Sequence, residues 1–172
     1  MAFAGNVDEL ALLQSVRLKG SVSAPVLAVQ LGVTESSAQA ALDALVAAGR
    51  ASDSGDAGVS LTDAGVTELE DQLDAERVSI DEDLFAEVVE RFEPLDEEFA
   101  ELTEDDVDSL VGLDRRASDV FDDVSAYVPR LARYQELLAD SLDRVKSGDS
   151  FSDTYAVVWS ELRREILSAS AQ

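Results

Sequence analysis

Apolar residues recur three and four positions apart in three consecutive runs near the start of the chain: Leu10, Leu13 and Val16; Leu27, Ala28 and Leu31; and Ala38, Ala41, Leu42, Leu45 and Val46. That spacing puts each run on one face of an α-helix, and each face must find a neighbour to bury against. Asp8, Ser23 and Thr34 stand at the three starts, where a side-chain oxygen can accept an orphan backbone N–H. Pro25 falls in the first turn of the second helix, where its missing N–H costs nothing, and Gly20 and Gly32 supply the stops. The third helix, opening at "VTESSAQAALDALVAAGR", leaves Ser36, Gln39, Ala40 and Asp43 on its outer face.

The periodicity then changes. "ASDSGDAGVSL" reads as a short strand, a Gly/Asp/Ser turn and a second strand through Val59 and Leu61. From about Thr62 to Ser79 a long helix carries Val66, Leu69, Leu73 and Ile80 on one stripe, interrupted at Glu76, which fits either a dimeric coiled coil or a linker helix packed on its own domain.

Beyond it, "DEDLFAEVVERF" buries Leu84, Phe85, Val88, Val89 and Phe92, and Pro94 restarts a helix at "PLDEEFAEL". "TEDDVDSLVGLD" reads as a loop. Its adjacent Asp residues lack the Gly and distal Glu of an EF-hand, which makes it a solvated turn. Helices over about 114–127, 129–147 and 151–168 complete a bundle, with Asp149 or Ser150 capping the last. Their expected core is Val120, Phe121 and Val124; Leu131, Tyr134, Leu138, Leu142 and Val145; and Tyr155, Val158, Trp159, Leu162 and Ile166.

The 172 residues therefore divide into an N-terminal domain over 1–67 and an acidic all-helical domain over 68–172. The formal charge of −24 is uneven: three basic and seven acidic side chains before residue 68, ten basic and thirty acidic after it. Such a field draws basic partners and opposes approach to nucleic acid. A salty cytoplasm or high-GC coding would each give this composition. The start, "MAFAGNVDEL", has neither the basic nor the apolar region of a secretion leader, and no run is long and apolar enough for a bilayer, so a cytoplasmic location with no membrane partner is expected.

"LGVTESSAQAALDALVAAGRASDSGDAGVSLTDAG" resembles the winged helix-turn-helix of MarR-type regulators, through "LGVT", "ALDALVAAG" and "VSLTDAG". The resemblance covers roughly residues 8–68 and implies a mainly α fold: an N-terminal winged helix-turn-helix with a small β-hairpin wing, then a C-terminal helical bundle. It also implies that Ser36, Gln39, Ala40 and Asp43 lie against base edges, with the wing tip from Asp53 to Gly58 near a minor groove. Gln39 can pair bidentately with adenine and Ser36 can reach a base or phosphate. Arg17, Lys19 and Arg50 are the local phosphate donors, at most three per subunit. "RFEPLDEEFAEL", "VPRLARYQELLADSLDRVKSGD" and "DTYAVVWSELRREIL" look like the C-terminal segments of bacterial proteins that join a MarR-like winged helix to a helical domain. A winged-helix segment with "RLKG" is similar to regions attached to pyruvate phosphate dikinase-like enzymes.

The sequence contains no Cys and no His, which removes thiolate and imidazole chemistry and the usual zinc ligands. No Gly-rich phosphate loop is present, and amphipathic acidic faces account for the carboxylates, so neither an enzyme nor a cofactor is expected. Arg130, Arg133, Arg144, Lys146, Arg163 and Arg164 are expected to pair with carboxylates in surface bridges rather than converge on an anion. Tyr155 and Trp159, one helical turn apart, are expected in the core. Two functions fit: a MarR-like transcriptional regulator whose helical domain dimerises or binds an effector, and a protein-interaction or regulatory module that does not bind DNA, serving a partner such as a phosphoenolpyruvate-using enzyme.

Overall fold

A computed structural model describes residues 7–170 and is mainly helical, with eight α-helices and one two-stranded antiparallel sheet among those residues. Residues 1–6, on which the expectation about a secretion leader partly rests, lie outside the described residues. The chain divides into two compact units, residues 1–76 and 77–172.

In the first unit α1 (Glu9–Lys19), α2 (Ala24–Leu31) and α3 (Glu35–Ala47) precede β1 (Ala51–Asp53) and β2 (Val59–Leu61), and α4 (Asp63–Val78) follows. Asp8 and Thr34 cap α1 and α3 by accepting the backbone N–H of Leu10 and Ser37. Ser23, expected to do the same, makes no side-chain cap bond at α2; Pro25 beside it removes one of the N–H groups such a cap would serve. Gly32 ends α2 in the left-handed region at φ 68°, which a side chain would resist, and the Val33 N–H returns to the Ala28 carbonyl. The α2–α3 turn is thereby only three residues long.

The core of this unit is aliphatic: Leu12, Leu13, Val16, Leu27, Ala38, Ala41, Leu42, Leu45, Leu69 and Leu73 are fully buried or nearly so. Two of the expected core positions differ. Val46 is exposed, because Leu45 occupies the end of the α3 stripe and the next residue points about 100° away. Val66 is exposed because Gly65 faces inward instead; a Cβ on Gly65 would stand 1.9 Å from the Arg50 carbonyl oxygen. Leu10 and Leu31 pack on this core while keeping partial exposure. β1 and β2 pair with Ala51 opposite Leu61, and Val22 bridges Val59 on the other side of β2, with both N–H···O distances 2.9 Å. A 3₁₀ turn over Gly55–Ala57 joins the strands.

The second unit comprises α5 (Glu82–Ala100), α6 (Val107–Tyr127), a 3₁₀ turn at Pro129–Leu131, α7 (Ala132–Lys146) and α8 (Tyr155–Ser170). Pro94 does not restart a helix but sits inside α5, on its exposed side. The single bond it deletes, to the Glu90 carbonyl, leaves the continuous apolar stripe of Phe85, Val88 and Phe92 to hold the helix together. Leu84 lies off that stripe and is exposed. Most of the expected loop "TEDDVDSLVGLD" is helix: α6 starts at Val107 and runs through Gly112, since burial of Leu110 and Leu113 outweighs one glycine. Only Leu102–Asp106 remains a turn, closed by the Asp106 carboxylate accepting from the Thr103 backbone and hydroxyl, each at 2.9 Å. The last helix starts at Tyr155, later than expected, after a turn over 151–154.

Phe92, Phe121, Tyr155 and Trp159 form the centre of this core, with Phe99 stacked on Trp159 at 4.5 Å between ring centroids. The indole N–H of Trp159 donates to Asp96 at 3.0 Å and the Tyr155 hydroxyl donates to Asp114 at 2.6 Å, so both large rings bury their polar ends satisfied. Among the described residues no helix is long and apolar enough to cross a membrane.

Candidate functional site

The surface that the sequence singles out is the outer face of α3 with the cations around it. Capping by Thr34 fixes where α3 begins, and burial of Ala38, Ala41, Leu42 and Leu45 fixes its rotation. Ser36, Gln39 and Asp43 consequently face solvent, and Ala40 is half-buried. The four predicted residues do share one face of one helix.

Two of them, Gln39 and Asp43, are turned toward each other. The Gln39 amide donates to the Asp43 carboxylate at 2.9 Å, one helical turn away. An adenine edge would have to compete for that donor. At the hairpin tip the Asp53 carboxylate accepts from the Gly55 backbone at 2.8 Å, and Asp56 is exposed beside it.

The cations are not clustered with these residues. Arg50, between α3 and β1, pairs with Glu9 of α1 and lies 3.7 Å from Glu68 of α4. Arg17 pairs with Glu70 of α4 and also donates to the Gln14 side chain at 3.1 Å. Lys19 is engaged as well. Each arginine thus arrives with a carboxylate of its own unit, and residues 1–76 carry three basic and twelve acidic side chains, net −9.

Sequence reasoning missed the polar interior of the second unit. Arg130 and Glu165 form an ion pair at 2.8 Å with side chains only 7% and 2% exposed, and the Tyr134 hydroxyl donates to the other Glu165 oxygen at 3.3 Å. Glu161 is buried in the same unit, at 6% exposure. Burial, followed by the charges of Glu165 and Glu161, pushes the Tyr134 phenol far above its ordinary range, and burial with the hydrogen bond to Asp114 does the same for Tyr155. Arg130 was expected in a surface bridge; its buried pair is the correction, and its sequence signal was only the Glu-x-x-x-Glu spacing of Glu161 and Glu165 on a helix that buries its other residues at the same interval. Three of the other cations form the expected bridges: Arg133 pairs with Glu136, Arg144 with Asp149 at 2.8 Å and Arg163 with Asp96 at 2.7 Å.

Glu104 was not singled out either. Its carboxylate accepts from the backbone of Phe151 at 2.8 Å and of Ser152 at 2.9 Å and from the Ser150 hydroxyl at 3.2 Å, so it closes the turn before α8. Those bonds, led by Ser152, hold its carboxyl below the usual range. No group of acidic side chains that could hold a metal ion occurs among the described residues. Comparison with family models, with characterised proteins and with solved structures yields no match.

Proposed function

We propose that residues 1–76 form a winged-helix module of the MarR type that binds a protein rather than DNA, and that the chain as a whole is an interaction or regulatory subunit. The observation that carries this reading is the closure of the local cations onto carboxylates: Arg50 onto Glu9 and Glu68, and Arg17 onto Glu70. Affinity for a duplex comes mainly from counterion release by phosphate contacts. A cation that must first leave its carboxylate, and then exposes that carboxylate to the phosphate, contributes little of it. The closed Gln39–Asp43 pair and the acidic hairpin tip act in the same direction. Val26 and Val29, one turn apart on α2, keep 48% and 65% of their surface exposed, which suits contact with a protein. Charge complementarity selects a partner with a basic face. Affinity capture from lysate of the source cells, with the wild type and with Gln39→Ala/Ala44→Glu on the α3 face, tests this. A partner held by the wild type and lost by the variant supports it; clear, sequence-dependent DNA binding with no captured partner contradicts it.

A second reading, a dimeric transcriptional regulator, is favoured by one observation. Ser36 and Gln39 are exposed in the first half of α3, directly after a three-residue turn, where a DNA-reading helix presents its base contacts. It requires the partner copy to supply phosphate contacts that one chain lacks, and light scattering that finds a monomer at micromolar concentration would contradict it.

A further inference from the structure

The outer face of α8 stands apart in charge from the rest of its unit. Residues 77–172 carry ten basic and twenty-five acidic side chains, and α5, α6 and α7 each turn carboxylates to solvent. α8 does not. Its acidic side chains are Glu161 and Glu165, which are only 6% and 2% exposed. The exposed side of the helix carries Val157, Ser160, Arg163, Arg164 and Leu167 instead, and Val157 and Leu167 keep 40% and 39% of their surface in water.

Val157, Ser160, Arg164 and Leu167 follow the a–d–a–d spacing of a heptad seam about 15 Å long. The inner stripe of the same helix, Tyr155, Trp159, Leu162 and Ile166, is already spent on the core of the unit. The outer seam is therefore a second one, spaced to receive the side chains of another helix between Val157 and Leu167. The cations set the charge of that helix. Arg164, expected in a surface bridge, forms no ion pair or side-chain hydrogen bond among the described residues. Arg163 is held to Asp96 through Nε, at 2.7 Å, and its terminal nitrogens make no bond among those residues. A guanidinium at a seam position favours a facing carboxylate and fixes the register of the partner. The field of more distant carboxylates is screened beyond about 8 Å at physiological ionic strength, so the groups at the seam decide the contact.

We infer that the outer face of α8 docks an acidic amphipathic helix of a partner protein, its aliphatic side chains against Val157 and Leu167 and its carboxylates on Arg164 and Arg163. This surface belongs to the second unit and is independent of the reading of the α3 face, so either can fail alone.

The test uses a fluorescein-labelled, end-capped peptide of about 18 residues, with Leu at its a and d positions, one Glu at the a position that faces Arg164, and Glu and Ala elsewhere. Anisotropy on titration with the full chain should show saturable binding with Kd on the order of 0.1 mM, the weak end expected of so short a seam. A peptide of the same composition with its leucines scattered off the seam should bind at least about tenfold more weakly. Arg164→Glu should weaken the seam peptide by at least about tenfold. Arg115→Glu makes the same change of charge at an exposed, unpaired arginine of α6 and should leave the affinity unchanged. Val157→Ser with Leu167→Ser removes only exposed apolar surface and should also cost at least about tenfold, so the inference is still decided if Arg164→Glu is poorly folded. Absence of saturation, equal binding of the scattered peptide, unaltered binding by the double serine variant, or an equal loss in Arg115→Glu would overturn the inference. So would co-sedimentation with phosphatidylglycerol vesicles that Arg164→Glu abolishes while the peptide goes unbound, which would assign the face to a membrane surface.

Discussion

The two units solve the same problem with different materials. The first buries almost only aliphatic side chains, and the arginines of its Arg17 and Arg50 ion pairs are about a third exposed. The second buries a tryptophan, two tyrosines and an arginine–glutamate pair, with every ring polar atom bonded to a carboxylate. An aliphatic core is set by volume and tolerates rearrangement of similar shapes. A core with buried polar groups is set by hydrogen bonds as well, so a lost partner leaves a charge stranded in low dielectric.

The largest effect is expected where the second unit's polar interior is cut on one side. Glu165→Leu alone should destabilise this unit by about 3–5 kcal/mol, whereas Arg130→Met with Glu165→Leu should recover most of that loss. Urea denaturation followed by Trp159 fluorescence measures both. Equal losses for the single and double variants would show that the pair is needed for more than mutual neutralisation.

In the first unit the corresponding sensitive point is a volume, not a charge. Gly65→Ala places a methyl on the Arg50 carbonyl oxygen and should cost about 1–3 kcal/mol, read as a lower thermal midpoint. Leu69→Ala, which only empties space, belongs to the same scale at about 2–5 kcal/mol.

Acid and alkali separate the units further. The Glu104 and Glu98 carboxyls are held low by their hydrogen bonds, from Ser152 and from Arg116 respectively. Their contribution is complete above the unfolded carboxyl pKa of about 4.3 and is lost as pH falls through the lower folded values. Glu104→Gln should therefore lower the second unit's stability at pH 7 and flatten its acid limb, the difference from the wild type vanishing once pH falls below the folded value. On the alkaline side, Tyr134 and Tyr155 have raised folded values, so their contribution is present below the unfolded phenol pKa of about 10 and lost as pH rises through the folded values. Tyrosinate absorbance should show these two phenols ionising only as the unit unfolds. The smallest effect is expected at the surface: Arg17→Ala removes a part-exposed bridge and should change stability by no more than about 1 kcal/mol.

What could be read from the sequence follows the same division. The first unit's helices, hairpin and inner face were legible because aliphatic periodicity alone places Leu13, Leu27 and Leu42 inside, and because Asp8, Thr34 and Gly32 mark helix ends by local chemistry. Pro94 and Gly112 misled because they are local breakers, and in long amphipathic helices the buried stripe outweighs them. The outer face of α3 was legible residue by residue. What its cations touch was not, since Arg50 meets Glu9 across 41 positions of chain, a contact no short spacing announces. The bond from Tyr155 to Asp114 was hidden for the same reason, since it joins different helices across 41 positions.

Closing the arginines onto carboxylates is proposed to take the α3 face out of DNA binding. Fluorescence anisotropy of labelled DNA from the protein's own upstream region, and of a scrambled duplex, measured from low salt to about 0.2 M, addresses it directly. No binding of either duplex at any salt is the predicted result. Submicromolar binding that prefers the upstream duplex and weakens steeply as salt rises would contradict the account.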